Sequence, residues 1–413
     1  MNRLIRQLLP LAGALLLPLL SSAQGIKAGA AKVSVTPTSD CFPVRDFHGG
    51  TYTAVHDSLY ARALFLEQDG RGCLLVEVDY VDLPGTFLMD VCKATGLPEE
   101  AVLLFANHTH SVISTDRSMA IMKDGIVSAS RKAMEATAPA TLYFGRGETS
   151  VAINNGESVG LRGHHPSGYT DRTLDVLRIV GENGPIAQVV NFASHAEVMF
   201  RSMIREGEYE VSADLPGKVS TLLESLPEGA PVVLSTCGAE GDQLPRFAAW
   251  RATNNLGVID LGADGYTILD VLGQTVVDDV LSCRLSPVSG SLAFGRGSVQ
   301  VPGRRTHKDR ETGEVTIEST PDVEIPLALL RIGDDFALEA IGGDVAAALG
   351  TSIRDAAPHS GRTMLVTMMS GSVGYILPDD AYEKAIHGVI GSRIAPGHAE
   401  KAIIEGFRSL SQR

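Results

Sequence analysis

Two histidines separated by one residue, His108 and His110, lie in the block Phe105-Ala-Asn-His-Thr-His-Ser111, directly after the apolar run Val102 to Phe105. If the extended conformation of that run continues, residues two apart project from one face, so both imidazoles can reach one cation. Neutral imidazole is a preferred zinc ligand, and a catalytic zinc takes three protein ligands and keeps one position for water. A His-x-His at a strand end is equally a pair of polar residues at a loop mouth. The chemistry therefore needs partners from elsewhere in the chain.

Three other apolar runs end in the same way. Gln188-Val-Val-Asn-Phe-Ala-Ser-His195 closes on a histidine, Phe336 to Ile341 runs into Gly342-Gly343-Asp344, and Met364 to Met369 runs into Ser370-Gly-Ser-Val-Gly-Tyr375. Open α/β sheets assemble sites at the carboxyl ends of their strands, so four such endings form a pattern. Each residue also has a plainer reading. A lone histidine satisfies core polar groups, Asp344 stands directly before a helix-like segment and could be its N-cap, and a tyrosine is most often core or surface.

The order of these blocks resembles that of the neutral/alkaline ceramidases, zinc-dependent amidases that cleave the N-acyl bond of ceramide. The matching stretches cover most of the chain: Lys32-Val-Ser-Val-Thr-Pro37, Asp57-Ser-Leu-Tyr-Ala-Arg-Ala63, Asn107-His-Thr-His-Ser111, Asn191-Phe-Ala-Ser-His195, Ser212-Ala-Asp-Leu-Pro-Gly217, Cys237-Gly-Ala-Glu-Gly-Asp242 and Gly374-Tyr-Ile-Leu-Pro-Asp-Asp-Ala-Tyr382. The resemblance implies that His108, His195 and Tyr375 bind Zn2+, with His110 beside the metal as a hydrogen-bonding group. Asp344 stands where the family has a glutamate, and is one methylene shorter. The resemblance further implies an α/β (α+β) fold, a large single domain of stacked β-sheets flanked by helices, and hydrolysis of an N-acyl amide with ceramide-like lipids as the leading substrate class.

A zinc ion lowers the pKa of its bound water towards about 7 and polarises a carbonyl, so attack on an amide or ester needs no serine nucleophile. His110, or His387, would then stabilise the oxyanion or protonate the leaving amine. Asp242 would orient one of the histidines, unless it is a turn residue in Glu-Gly-Asp. Three positions depart from the family. Asn155 stands where an arginine follows the Asn, Leu244 replaces the serine before Pro245, and His387 replaces a second tyrosine. These lie near the amide in the family, so the departures concern the substrate rather than the metal.

Two rival chemistries can be weighed on residues. The string Gly156-Glu-Ser158-Val-Gly160 has the spacing of a serine-hydrolase elbow, but Asn154-Asn155 precede it and a turn-rich stretch follows, where a strand and a helix are required. A lipid- or glycan-binding protein without turnover would fit the three departures, yet it has no need of both His108 and His195. A zinc-dependent esterase acting on another substrate fits the metal residues equally well.

The elements that must position these residues are legible as short apolar runs, at Leu74 to Val78, Val102 to Phe105, Gln188 to Phe192, Val232 to Ser235, Leu327 to Ile332 and Met364 to Met368, which predict buried strands. Helical stretches alternate with them, at Gly125 to Glu135, Lys218 to Glu224, Thr267 to Leu281, Val345 to Arg354 and Ala399 to Leu410. The charged segment Gly303 to Glu314 reads as an exposed hairpin or loop in preference to a domain linker, because too few apolar runs follow it to build a second core.

The 413 residues carry 49 Asp and Glu against 35 Lys and Arg, a net charge of −14. That balance argues against a protein that tracks nucleic-acid phosphates and disfavours docking to anionic lipid surfaces. Arg3 and Arg6 precede the apolar run Leu8 to Leu20, and Ser21-Ser22-Ala23 follows, which is the layout of a secretory signal peptide over 1–23 ahead of a catalytic domain over 24–413. Cleavage there would take the charge to about −16. The run is short of the roughly 20 residues that span a bilayer, and no longer one follows, so the expectation is a periplasmic or secreted protein with no integral span. The 38 residues after Tyr375 are too few for the C-terminal immunoglobulin-like domain of the larger ceramidases. Five cysteines, at 41, 73, 92, 237 and 283, lack Cys-x-x-Cys spacing.

Overall fold

Odd and even residues of the strand Tyr60–Gln68 enter different cores, and this parity generates the architecture. Ala61, Ala63 and Phe65 join one apolar cluster, Leu64 and Leu66 another. The neighbouring strands Arg71–Val78 and Val102–Ala106 divide in the same way, Leu74, Val76, Val102 and Leu104 to one side and Cys73, Leu75, Leu103 and Phe105 to the other. A strand buried on both faces needs no polar alternation, which is why these segments read as continuous apolar runs in the sequence.

The chain is described as a computed structural model over residues 25–46, 49–156, 165–254, 257–309, 311–383 and 386–412. The segment expected to be a signal peptide and the Ser158 string lie outside the described residues. A nine-stranded mixed sheet runs in the order Val233–Cys237, Gly184–Phe192, Thr173–Gly181, Ala138–Glu148, Lys27–Ser34, Tyr60–Gln68, Arg71–Val78 and Val102–Ala106, with Ser286–Val288 added beside Ala138–Glu148. A four-stranded sheet, Leu292–Lys308, Val315–Ile332, Phe336–Ile341 and Thr363–Val366, packs on it through Ala328, Leu330, Leu338 and Val366.

Helices cover both outer faces. Thr86–Thr95, Asp116–Glu135, Asp214–Glu224 and Gly265–Ser282 lie on the large sheet, and Ala347–Asp355 and Ala399–Ser411 lie on the small one. In Asp116–Glu135 the buried residues Met122, Ile126, Ala129 and Ala133 recur at helical spacing, and Thr115 with Ser118 forms a capping box at its start. The result is the stacked-sheet α/β domain that the motifs predicted. Gly303 to Glu314 lies in the distal part of the hairpin formed by Leu292–Lys308 and Val315–Ile332, and is therefore not a linker. All five cysteines are free thiols.

What matters for chemistry is the set of parallel pairs. Arg71–Val78 pairs parallel with Val102–Ala106, Gly184–Phe192 with Val233–Cys237, and Phe336–Ile341 with Thr363–Val366. Their carboxyl ends meet on one edge of the stack, where single bridges join Thr109 to Ala196 and Phe105 to Met369.

Candidate metal centre

His108 does not continue its strand. Its backbone turns left-handed, with φ at 65°, a conformation that costs a non-glycine residue roughly 1–2 kcal/mol and persists only where the surroundings impose it. Here they do, because Asn107 N–H donates to Val78 O at 3.0 Å and His108 N–H to Tyr80 O at 2.9 Å. The side chain is fixed as well, with Nδ1 2.6 Å from the Val81 carbonyl. A carbonyl can only accept, so Nδ1 carries the proton and Nε2 keeps its lone pair.

His195 is held by the same device. Its Nδ1 lies 2.8 Å from the Glu240 carbonyl and its own N–H donates to Gln243 O at 2.9 Å. Both Nε2 atoms then face one carboxylate oxygen, Asp344 Oδ2, at 3.9 Å from His108 and 3.5 Å from His195. His110 Nε2 is 3.2 Å from His108 Nε2. The ligand-capable nitrogens of His108, His110 and His195 all lie within 4.8 Å of one another. Donors on a tetrahedral zinc with bonds of about 2.0–2.1 Å are about 3.4 Å apart, so these separations suit a single small cation.

The electrostatics point the same way. Burial and the neighbouring His110 and His195 push His108 well below its ordinary value, which keeps it neutral. At His195 burial again favours the neutral form, but the carboxylates of Asp344, Glu240 and Glu197 outweigh it and push the group up to about 9. A buried pocket that favours a proton this strongly is one short of positive charge, and a divalent cation supplies it. The residues present therefore fit a single metal ion, with His108, His110 and His195 as a donor group and Asp344 Oδ2 beside the Nε2 atoms of His108 and His195.

Asp344 is not a helix cap. It lies in the two-residue strand Asp344–Val345, paired parallel with Tyr375–Ile376 so that Asp344 and Tyr375 are register partners. The helix Ala347–Asp355 receives its cap from Asp242 instead, whose Oδ1 accepts from Ala347 N–H at 2.8 Å. This corrects the expectation for Asp242. Its carboxylate holds that helix start together with the amides of Asn154 at 2.9 Å and Gln243 at 2.7 Å, and does not orient a histidine. The orienting group at His195 is the backbone of Glu240, two residues earlier. His387 opens the short helix His387–Gly391 and is exposed, with its ring 5.7 Å from that of Tyr375.

Motifs without ligands prove to be supports. Fully buried Arg62 bonds Asp79 at 3.0 Å and Glu77 at 3.2 Å, and Asp79 accepts from Asn107 Nδ2 at 2.6 Å, one residue before His108. Asp57 accepts from Ala213 N–H at 2.8 Å and thereby ties the Asp57-to-Ala63 block to the Ser212-to-Gly217 block. Two acidic residues at the site were missed in the sequence. Glu197 Oε1 lies 3.8 Å from His110 Nδ1, and Glu240 is fully buried beside His195. The spacing His195-x-Glu197 was the available signal. Phe200, 5.1 Å from the His110 ring, and Trp250, 6.2 Å from Phe200, add an aromatic wall.

No family model matches the chain, and no curated protein matches it by sequence. Among solved structures, the neutral ceramidase from Pseudomonas aeruginosa superposes with a TM-score of 0.75 at 16% identity, covering 94% of this chain and 74% of that one. A ceramidase complexed with C2 superposes with the same TM-score and identity, covering 94% and 75%. The fold expected from the motif resemblance is thus the fold found.

Proposed function

We propose that the protein is an exported zinc-dependent hydrolase that cleaves an N-acyl amide bond, with ceramide-like lipids as the leading substrate class, and that 24–413 is its catalytic domain behind a signal peptide at 1–23. One observation carries the reading. Two histidines from different strand ends have Nδ1 locked on backbone carbonyls and Nε2 directed at one carboxylate oxygen, Asp344 Oδ2, an arrangement that leaves lone pairs for a metal. Zinc held there supplies positive charge that makes water a nucleophile near neutral pH and polarises the scissile carbonyl.

The chain's own residues divide the remaining work. His108, His195 and Asp344 hold the metal, with Tyr375 brought alongside Asp344 by strand pairing. His110 is partly exposed beside His108, and Glu197 stands at its Nδ1, so it is the group suited to pass a proton to the leaving amine. Phe200 and Trp250 offer apolar surface at the mouth, which a chain of net charge −14 needs if it is to capture a lipid without electrostatic help. The test is metal analysis together with hydrolysis of a panel of N-acyl amides and esters by wild type and His108→Ala. One equivalent of zinc in the wild type and loss of hydrolysis in the variant are expected. Equal activity of the two proteins would overturn the assignment.

A further inference from the structure

On the helix-covered face of the small sheet lies a cavity of about 190 Å3 whose walls are Leu329, Ile353, Ile404 and Phe407. One acidic side chain, Glu339, stands among these apolar residues. It belongs to the strand Phe336–Ile341, shares a sheet face with Ala337 and Ile341, and pairs in register with Leu329 and Leu365. Only 4% of it is exposed, and its Oε2 is buried without a hydrogen-bond partner among the described residues. Burial lifts its pKa from the ordinary 4.5 to about 8. A carboxyl left in apolar surroundings without a donor is costly, and a leucine or methionine would pack there at no such cost.

We propose that this cavity is a binding site for a primary alkylammonium compound, whose ammonium pairs with Glu339 and whose alkyl chain lies along Leu329, Ile353, Ile404 and Phe407. An ammonium supplies three donors in a compact head, which suits a carboxyl at the end of a narrow apolar space. The charged groups that face the cavity besides Glu339 are Arg331, Asp334, His359 and Arg408. Asp334 and His359 form an exposed pair at 3.8 Å, Arg408 is exposed and Arg331 is half-exposed opposite Ala337, so water reaches all four and screens them, whereas Glu339 is buried. An anionic amphiphile would instead bring its carboxylate towards Glu339 or leave Glu339 facing hydrocarbon. The site is remote in chemistry from the histidine cluster and adds to the proposed hydrolase reading without depending on it.

Isothermal titration of the full chain at pH 9, where Glu339 is mostly ionised and an alkylammonium keeps its proton, with hexylammonium, 1-hexanol and hexanoate tests the proposal. Saturable binding of hexylammonium is expected, with 1-hexanol and hexanoate at least tenfold weaker. Glu339→Gln, which keeps size and removes the charge, should weaken hexylammonium roughly tenfold to a hundredfold. Ile404→Trp, which fills the space from the half-buried helix side, should weaken it too. His108→Ala should leave it unchanged, which separates this cavity from the metal centre. Binding equal in wild type and Glu339→Gln, preference for hexanoate, or no binding at millimolar hexylammonium would each overturn the proposal.

Discussion

Replacing Asp344 by Asn keeps the side chain's shape and removes the charge that most strongly opposes burial at His195. In the metal-stripped wild type, His195 titrates at about 9 when folded against an ordinary value of 6.5. A raised folded pKa adds stability that is fully present below pH 6.5 and is lost as pH rises through 9. The difference is worth about 3 kcal/mol at 1.36 kcal/mol for each pH unit. Glu339, raised to about 8, loses stability in the same window and the same direction, whereas Asp82 and Asp214, raised to about 6, titrate below it. A comparison with the variant cancels these shared contributions. The assay is urea unfolding of chelator-stripped wild type and Asp344→Asn at pH 6 and pH 9.5. The wild type should lose more stability across the interval than the variant, by roughly 2–3 kcal/mol. Identical losses would show that Asp344 does not set the charge balance at His195, and the fit of a cation to this pocket would lose its electrostatic support.

Asp242→Ala removes the acceptor for Ala347 N–H and for the amides of Asn154 and Gln243, so it should cost about 2–4 kcal/mol in chemical unfolding while leaving bound zinc at wild-type stoichiometry. A variant of normal stability that had lost its metal would restore the role in histidine orientation that the geometry denies it. Arg62→Met strands two fully buried carboxylates, Glu77 and Asp79, and should cost about 3–5 kcal/mol at pH 7, read by urea unfolding. A loss under 1 kcal/mol would mean that the cluster does not hold the strand end before His108.

His108, His195 and Asp344, which meet at one carboxylate oxygen, and Tyr375, the register partner of Asp344, were legible because each follows an apolar strand, where sequence and geometry coincide. The groups that aim them were not legible. Val81 O and Glu240 O are main-chain carbonyls, present at every position, and only the fold selects which of them meets an imidazole. The exchange between Asp242 and Asp344 has a related cause. A helix start attracts the nearest acidic residue in the sequence, but the cap of Ala347–Asp355 comes from 105 residues away, where the loop after Val233–Cys237 packs against it. The expected extended path through His108 fails for a local reason, since the left-handed turn there is held by hydrogen bonds from Asn107 and His108 N–H to the carbonyls of Val78, at the end of the neighbouring strand, and Tyr80, just beyond it.

The same division between backbone and side chain separates the candidate metal centre from the places where the sequence departs from the motifs of the family it resembles. Leu244 lies in Gln243–Pro245, paired antiparallel with Ala152–Asn154, and Asn155 follows directly, so two of the three departures share one small ribbon. That ribbon meets His195 through the Gln243 carbonyl, which accepts from the His195 N–H at 2.9 Å, and Asn155 N–H is bound to Asp242 O at 2.8 Å. Side chains on the ribbon can therefore change without moving the imidazole. The third departure, His387, meets the ring of Tyr375 from an exposed helix start, outside the pair of strand ends that carry His108 and His195. A fold that aims its histidines through main-chain carbonyls can vary the side chains around them without moving the imidazoles, so on the proposed function the substrate could change while the metal site is kept.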